Sequence, residues 1–289
     1  MPETTPEPAA QLAAHYAHCE AVLRAGDRDR WLATLFAPAP ARPALCAVGA
    51  FALEIAGVRA KVTQPTLGEM RLRWHLDALS DTTGAGEGAR AHPVIDALVD
   101  TIERHALPRD SFDAFIAAAT FELYDDPMES EVMFADWCRD WHAAPLRWAA
   151  RILGDDPNAA VFTPAGEALG VARAMRHLPA AAPAGQCHIP ADLLARHGAG
   201  PADIRARDAR PAVRDALAEF TAFGRKRYAD ARAVASGLGL GRAALLPVAT
   251  APLDFTAAER RADPFRPGGE PAPWRRQWRL LTASFGAGL

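Results

Sequence analysis

The chain has 289 residues, half of them hydrophobic, and a formal net charge of −3. That is enough apolar material for one sizeable core, while the charge balance and the lack of aromatics interleaved with a basic stripe exclude a nucleic-acid binder. Four widely spaced cysteines with no CxxC pair exclude a zinc ribbon or a dithiol redox motif and fit reduced thiols in a cytosolic compartment.

Residues 1–10 are acidic and rich in Pro and Thr, unlike the basic-then-apolar start of a signal peptide. Residues 1–8 are read as a flexible tail and 9–289 as one helical domain. Helical periodicity dominates and strand alternation is nearly absent. The spacing predicts a first helix over about 9–25, then one over about 42–62 with Leu45, Val48, Phe51, Ile55, Val58 and Val62 on one stripe. The apolar run from Ala44 to Val58, broken by Glu54, is too short for a bilayer span and reads as a buried helix. Pro65 stops it, and Thr66 with Glu69 forms a capping box for a helix carrying Leu67, Met70, Trp74 and Leu79. A loop follows at Gly84, Gly86 and Gly88, then helices over about 92–106 and 109–123.

Asp125-Asp126-Pro127 reads as a turn capping a long helix over about 129–154, with Phe134, Trp137, Trp141, Trp148 and Ile152 on one side and a kink at Pro145. A helix over about 164–178 is expected to end at Pro179, followed by a Pro/Gly-rich loop over 179–190 and a short helix near 190–197. Helices over about 209–237, 241–262 and 272–284 complete the chain. The expected architecture is all-α: a single bundle of about ten helices without internal repeats.

Several segments, taken in order, resemble the squalene/phytoene synthase family and cover most of the chain. Asp27–Trp31 with Leu35–Pro38 resembles the start of its first conserved helix, and Ala47–Arg59 occupies the place of its first aspartate-rich helix. Pro65–Leu79 is similar to its "EP-LGEIRLQWWRDAL", and Gly185–Leu194 to its "GRLYLPADLL". The resemblance implies a helical bundle of the isoprenoid synthase type. It also implies two acidic motifs on facing helices that hold magnesium and, through it, the diphosphate of a prenyl substrate.

Both motifs are missing. The first falls at about Ala56, Gly57 and Ala60; the second at about His177 to Ala181, and no Asp or Glu occurs from Ala168 to His188. Without those carboxylates the departing diphosphate loses its main electrostatic support. The chain rather resembles a divergent branch that includes mitochondrial complex I assembly factors, through Leu53–Arg59 and Met175–Gly185.

The candidate cavity residues are Glu54, Gly57, Glu122, Trp141, Arg173, Arg176 and His177. Glu54 faces either a residual cavity or a basic partner in a tight helix contact. Glu122 is either a leftover pocket carboxylate or an ordinary helix end. Arg173 and His177, one turn apart, either grip a diphosphate or lipid phosphate directly, or join a salt bridge to Glu54, Glu69 or Glu122. Asp136 with Asp140 reads as a solvated face around Arg139. His15, His18 and Cys19 lack a fourth metal ligand. The tryptophans read as core or cavity lining. Arg225–Arg227 and Trp274–Arg279 read as basic patches, the second amphipathic and able to meet a membrane surface or a partner.

Three functional readings stay open. One is a non-catalytic, isoprenoid- or lipid-binding or assembly-factor-like protein without cofactor. The second is a prenyl diphosphate transferase with a non-standard site, for which alone Mg²⁺ is expected. The third is an interaction module with a closed pocket. A cytoplasmic location, with peripheral contact at a membrane, is expected.

Overall fold

The computed structural model describes residues 8–80 and 92–286; the N-terminal tail to residue 7 and the glycine loop at 84–88 lie outside the described residues. Among the described residues every regular element is helical. In chain order they are α1 (Pro8–Gly26), α2 (Arg28–Thr34), α3 (Arg42–Ala56), α4 (Pro65–Ser80), α5 (Pro93–His105), α6 (Arg109–Phe121), α7 (Glu131–Cys138), α8 (Ala144–Ile152), α9 (Phe162–Ala181), α10 (Ala191–Arg196), α11 (Pro201–Ala206), α12 (Pro211–Val234), α13 (Ala251–Arg260) and α14 (Pro273–Ser284). Fourteen described helices replace the ten expected, chiefly because irregular turns divide the long periodic runs.

One main core holds the bundle, and a small second cluster of Ala33, Leu246, Ala249, Leu280 and Ala283 seats α14. α3 is its central rod, with Ala47, Ala50 and Phe51 fully buried where it packs on α1 and α5. Residues 39–56 are long and apolar enough to cross a bilayer by length and composition alone, yet over half of that stretch is buried inside the bundle. On the other side α9 packs against α12 and α13. Small residues bring these helices close. A Cβ at Gly224 would lie 2.6 Å from Val171 Cγ1, and one at Gly166 would lie 2.7 Å from Ala143 Cβ.

The structure corrects several local expectations. α3 ends at Ala56, and Arg59–Lys61 form a separate 3-10 turn, because the chain bends at Gly57. α4 starts at Pro65, with Gln64 accepting the first amides, so Thr66 lies inside the helix and no capping box forms; Glu69 instead accepts from the Tyr124 hydroxyl at 2.7 Å. The helix start after Pro127 is capped by Ser130, whose Oγ accepts from Met133 N, and not by the aspartates. The irregularity near Pro145 is a π-helical turn over Arg139–Ala143. Proline lacks the amide that a regular helix requires there, and a wider turn absorbs the mismatch. Pro179 does not end α9, which continues to Ala181. The carbonyl that Pro179 leaves without an amide, that of Met175, accepts from Arg261 Nη1 at 2.8 Å. The expected helix over 241–262 is a 3-10 stretch over Leu240–Thr250 leading into α13, and α11 was not expected at all.

Candidate functional site

The turn after α3, the loop after α6 and the end of α9 converge. A single guanidinium joins them. Arg59 Nη1 donates to the Glu122 carbonyl at 2.7 Å, and Nη2 donates to Asp125 Oδ1 at 2.6 Å and to the Ala184 carbonyl at 3.2 Å. Ala56 and Ala60 flank this latch, exposed, and Gly57 is half-buried. Asp125 thus serves Arg59 rather than a metal.

Inside the latch lies Glu122, the C-cap of α6. His188 Nε2 sits 2.7 Å from its Oε1, and Gln186 Nε2 donates to Oε2 at 3.1 Å. Burial pushes this carboxyl up, but His188, with Gln186 and Arg59, holds it below the usual glutamate value. Behind it runs an aromatic column. His188 stacks on Trp137 at 5.3 Å between ring centres, Trp137 on Trp141 at 6.4 Å, and Trp141 on Phe115 at 4.6 Å. Trp141 therefore lies between two rings, packed on the core.

A second cluster joins α2 and α9. Asp27 caps α2 by accepting from Arg30 N at 3.0 Å, and Arg173 Nη2 donates to its Oδ2 at 3.4 Å. Arg173 therefore pairs with Asp27, not with Glu54, Glu69 or Glu122, because α2 rather than α4 or α6 lies across from this face of α9. Burial raises Asp27, yet Arg30 and Arg173 bring its carboxyl below the ordinary value. His142, on the π turn, is buried, and desolvation with Arg173, His188 and Arg30 nearby keeps it neutral. His177, exposed on the outer side of α9 rather than in the cluster, is lowered by partial desolvation and by Arg176 and Arg173. Among the described residues, three buried polar atoms here have no hydrogen-bond partner: Trp137 Nε1, His142 Nε2 and Arg176 Nε. Gly170 permits the approach, since a Cβ there would lie 2.9 Å from His142 Cδ2.

The donor set does not fit a resident magnesium ion. Hard cations need carboxylate or carbonyl oxygens. Arg59 and Arg173 lie beside the positions such ligands would take, and the three nearby carboxylates, Asp125, Asp27 and Glu122, are taken up by Arg59, Arg173 and His188. Among the described residues no three His, Cys, Asp or Glu side chains converge on a metal position, the His15–His18–Cys19 group included; His15 pairs with Asp96 at 3.2 Å. Beside the cluster an apolar cavity between α2, α3, α8 and residues 243–247 holds only about 40 Å³. Pockets that take drug-sized ligands run to roughly 300–1,000 Å³.

Glu54 lies elsewhere, on the α3 face toward α4 and α5. It lines a cleft of about 270 Å³ with Lys61, Arg71, Trp74, His75 and His92. His92 Nε2 is 3.8 Å from its Oε1, while Oε2 has no partner among the described residues. Burial raises its carboxyl to about 7, with Lys61 pulling the other way. The ionised form is the one folding disfavours, so this group costs nothing while both states are protonated. Its penalty grows as pH rises from about 4.5 to about 7. Glu54→Gln is therefore expected to melt like the parent near about pH 4 and above it near about pH 8. An identical offset at both pH values in thermal melts contradicts this assignment.

Other sequence candidates are structural. Asp136 and Asp140 flank Arg139 at 2.5 and 2.9 Å on the solvated face. Trp148 is core, whereas Trp74 is partly exposed at the Glu54 cleft. Arg225–Arg227 is no basic patch, since Glu259, Asp230 and Glu167 pair with its three side chains. Sequence reasoning missed Arg59, Asp27, Arg30, His142 and His188 as site residues. Four of the five lie in or beside the segments that carried the resemblance, but which of their side chains meet is not written in their spacing.

Comparisons place this geometry among known proteins. The family model described as squalene/phytoene synthase matches residues 23–282. The chain is 24% identical over 202 residues to mouse "NADH dehydrogenase (ubiquinone) complex I, assembly factor 6", covering 69% of this chain and 60% of that protein. The human protein of the same name is 24% identical over 205 residues. The chain thus matches about 60% of the length of these curated relatives. In fold it is similar to squalene synthase HpnC from Alicyclobacillus acidocaldarius, at 23% identity and TM-score 0.72 over 91% of this chain and 98% of that one. A ligand-bound dehydrosqualene synthase superposes with TM-score 0.81 at 15% identity, over 97% of this chain and 98% of that one.

Proposed function

The chain belongs to the squalene/phytoene synthase family, and from that premise we propose that it has given up head-to-head prenyl transfer and works as an assembly-factor-like binding protein. The observation that carries this reading is the Arg59 latch. A guanidinium bridges the helix ends that would have to present carboxylates to magnesium, and its own hydrogen bonds hold those ends together. A divalent cation placed there meets a positive charge instead of ligands. The small apolar cavity supports the same reading, since it is far below the space a prenyl chain needs. The likeness to complex I assembly factor 6 supplies the class of role: helping a membrane respiratory complex to assemble. We also propose a cytoplasmic location, which the four free cysteines fit.

The test has two arms. Purified protein incubated with farnesyl or geranylgeranyl diphosphate and Mg²⁺ is expected to yield no squalene or phytoene above a protein-free control; appreciable product ends the proposal. In cells that encode the chain, its deletion is expected to lower fully assembled NADH–ubiquinone complex on native gels, and an unchanged amount counts against the assembly role.

One observation favours a second reading, a prenyl diphosphate transferase with an unusual site. Arg30, Arg173 and Arg176 gather around Asp27, and Trp137 Nε1 and Arg176 Nε have no partner among the described residues, a basic cluster suited to a diphosphate without metal. In that case product forms in the first arm and Arg173→Ala removes it.

A further inference from the structure

The C-terminal helix presents an apolar stripe to solvent. On α14, Trp274 is 63% exposed and Trp278 62%; Leu281 and, just beyond the helix, Phe285 are exposed as well. Their spacing of four, three and four residues puts all four on one narrow face. The opposite face is anchored: Leu280 and Ala283 are buried, and Arg276 pairs with Asp29 and Asp254. The stripe is therefore held rigidly outward. Exposed aromatic patches of this kind mark interaction sites.

A second, independent feature lies beside it. A groove of about 760 Å³ runs between the end of α13 and the start of α14 and reaches Trp274. Arg260, Arg261, Arg266 and Arg275 line it against Asp263 and Glu270. Arg261 is engaged with the Gly268 and Met175 carbonyls. No ion pair among the described residues involves Arg260, Arg266 or Arg275, and Arg275 lies 5.5 Å over the Trp274 ring. No acidic residue occurs between Pro271 and Gly286.

We propose that this face docks on an anionic lipid bilayer, with the Trp274–Trp278–Leu281–Phe285 stripe in the interface and the arginine groove taking phosphate-bearing headgroups. Tryptophan and phenylalanine beside arginine match the polarity profile of the headgroup boundary, where a flat aromatic body is buried and a cation stays wet. Anionic headgroups add electrostatic attraction for each nearby basic residue. A second copy of this chain is the poorer occupant, because a two-fold contact through this stripe brings two arginine-rich grooves near one another. The proposal goes beyond the functional reading above and stands without it.

Co-sedimentation with vesicles tests it, one set of pure phosphatidylcholine and one with about a third phosphatidylglycerol. The full chain is expected to bind the anionic set more tightly by roughly tenfold or more, with a blue shift of tryptophan emission. Trp274→Glu with Trp278→Glu, and separately Arg260→Ser with Arg266→Ser, are each expected to lose most of that binding while keeping the parent melting temperature, because all four side chains are exposed. Absence of binding to anionic vesicles at low salt overturns the proposal. So does unchanged binding by both variants, or a dimer in solution that Trp278→Glu converts to monomer.

Discussion

Trp148→Ala is expected to cost about 4 kcal/mol of folding stability, among the largest losses any single truncation in this chain would produce. Trp148 is buried at 1% exposure at the centre of the aromatic core. It stacks on Phe112 at 4.1 Å, meets Phe115 edge-on at 5.2 Å, and lies 6.4 Å from Phe51. Its Nε1 donates to Ser111 Oγ at 2.7 Å, so its polar edge is satisfied as well. Truncation removes this area and leaves a hole that α3, α6 and α8 cannot close, since Phe51 and Phe115 are themselves held in place by neighbours. Trp148→Phe keeps most of the volume and is expected to lose about 1–2 kcal/mol. Urea unfolding with an unchanged m-value gives the comparison. A loss below about 1 kcal/mol for the alanine variant means that this cluster is not the organising core.

Arg276→Ala is expected to cost a comparable amount, about 3–5 kcal/mol, for an electrostatic reason. Arg276 is 7% exposed and ties α14 to two other elements: Nη1 to Asp29 Oδ2 of α2 at 2.9 Å, and Nη2 to Asp254 Oδ1 of α13. Burial already pushes the Asp254 carboxyl up, against the pull of Arg276 and Arg176. Removing Arg276 leaves that carboxylate buried and uncompensated, so protonation becomes its easiest relief. Two outcomes follow. The deficit shrinks as pH falls, because the protonated acid tolerates burial. Adding Asp254→Asn recovers part of the loss, which a double-mutant cycle measures. A deficit that is independent of pH and additive with Asp254→Asn rules out the coupling. The same variant loosens the seat of α14, so vesicle binding by the exposed stripe becomes a readout of whether that seat matters.

Helix existence was legible along the chain wherever apolar residues recur at helical spacing, as in α3 and α12. Helix ends were less so. Pro179 reads as a terminator from its neighbours alone; it is tolerated because Arg261, 86 residues on from Met175, satisfies the Met175 carbonyl it strands. Thr66 and Glu69 spell a capping box, yet Tyr124 of another segment claims the glutamate. In the candidate site, Glu122 and Arg173 were visible as charged residues on helices, but their partners were not. Glu54 was grouped with them because it lies on the helix that stands in place of the family's first acidic motif, while its position on the α3 face toward α4 and α5 puts it in a separate cleft.

The sequence alone determined that the chain is helical along its length and that no Asp or Glu occurs from Ala168 to His188. These are properties of residue type and local spacing, and a helix of period 3.6 is written in consecutive positions. Only the tertiary structure decided which charged side chains meet which partners. Arg59 reaches Ala184 across 125 positions, and Arg173 reaches Asp27 across 146. Such contacts depend on how helices pack, and close packing here turns on glycines at positions 166, 170 and 224. Charge pairing acts over a few ångströms of space, a distance that separation along the chain does not encode.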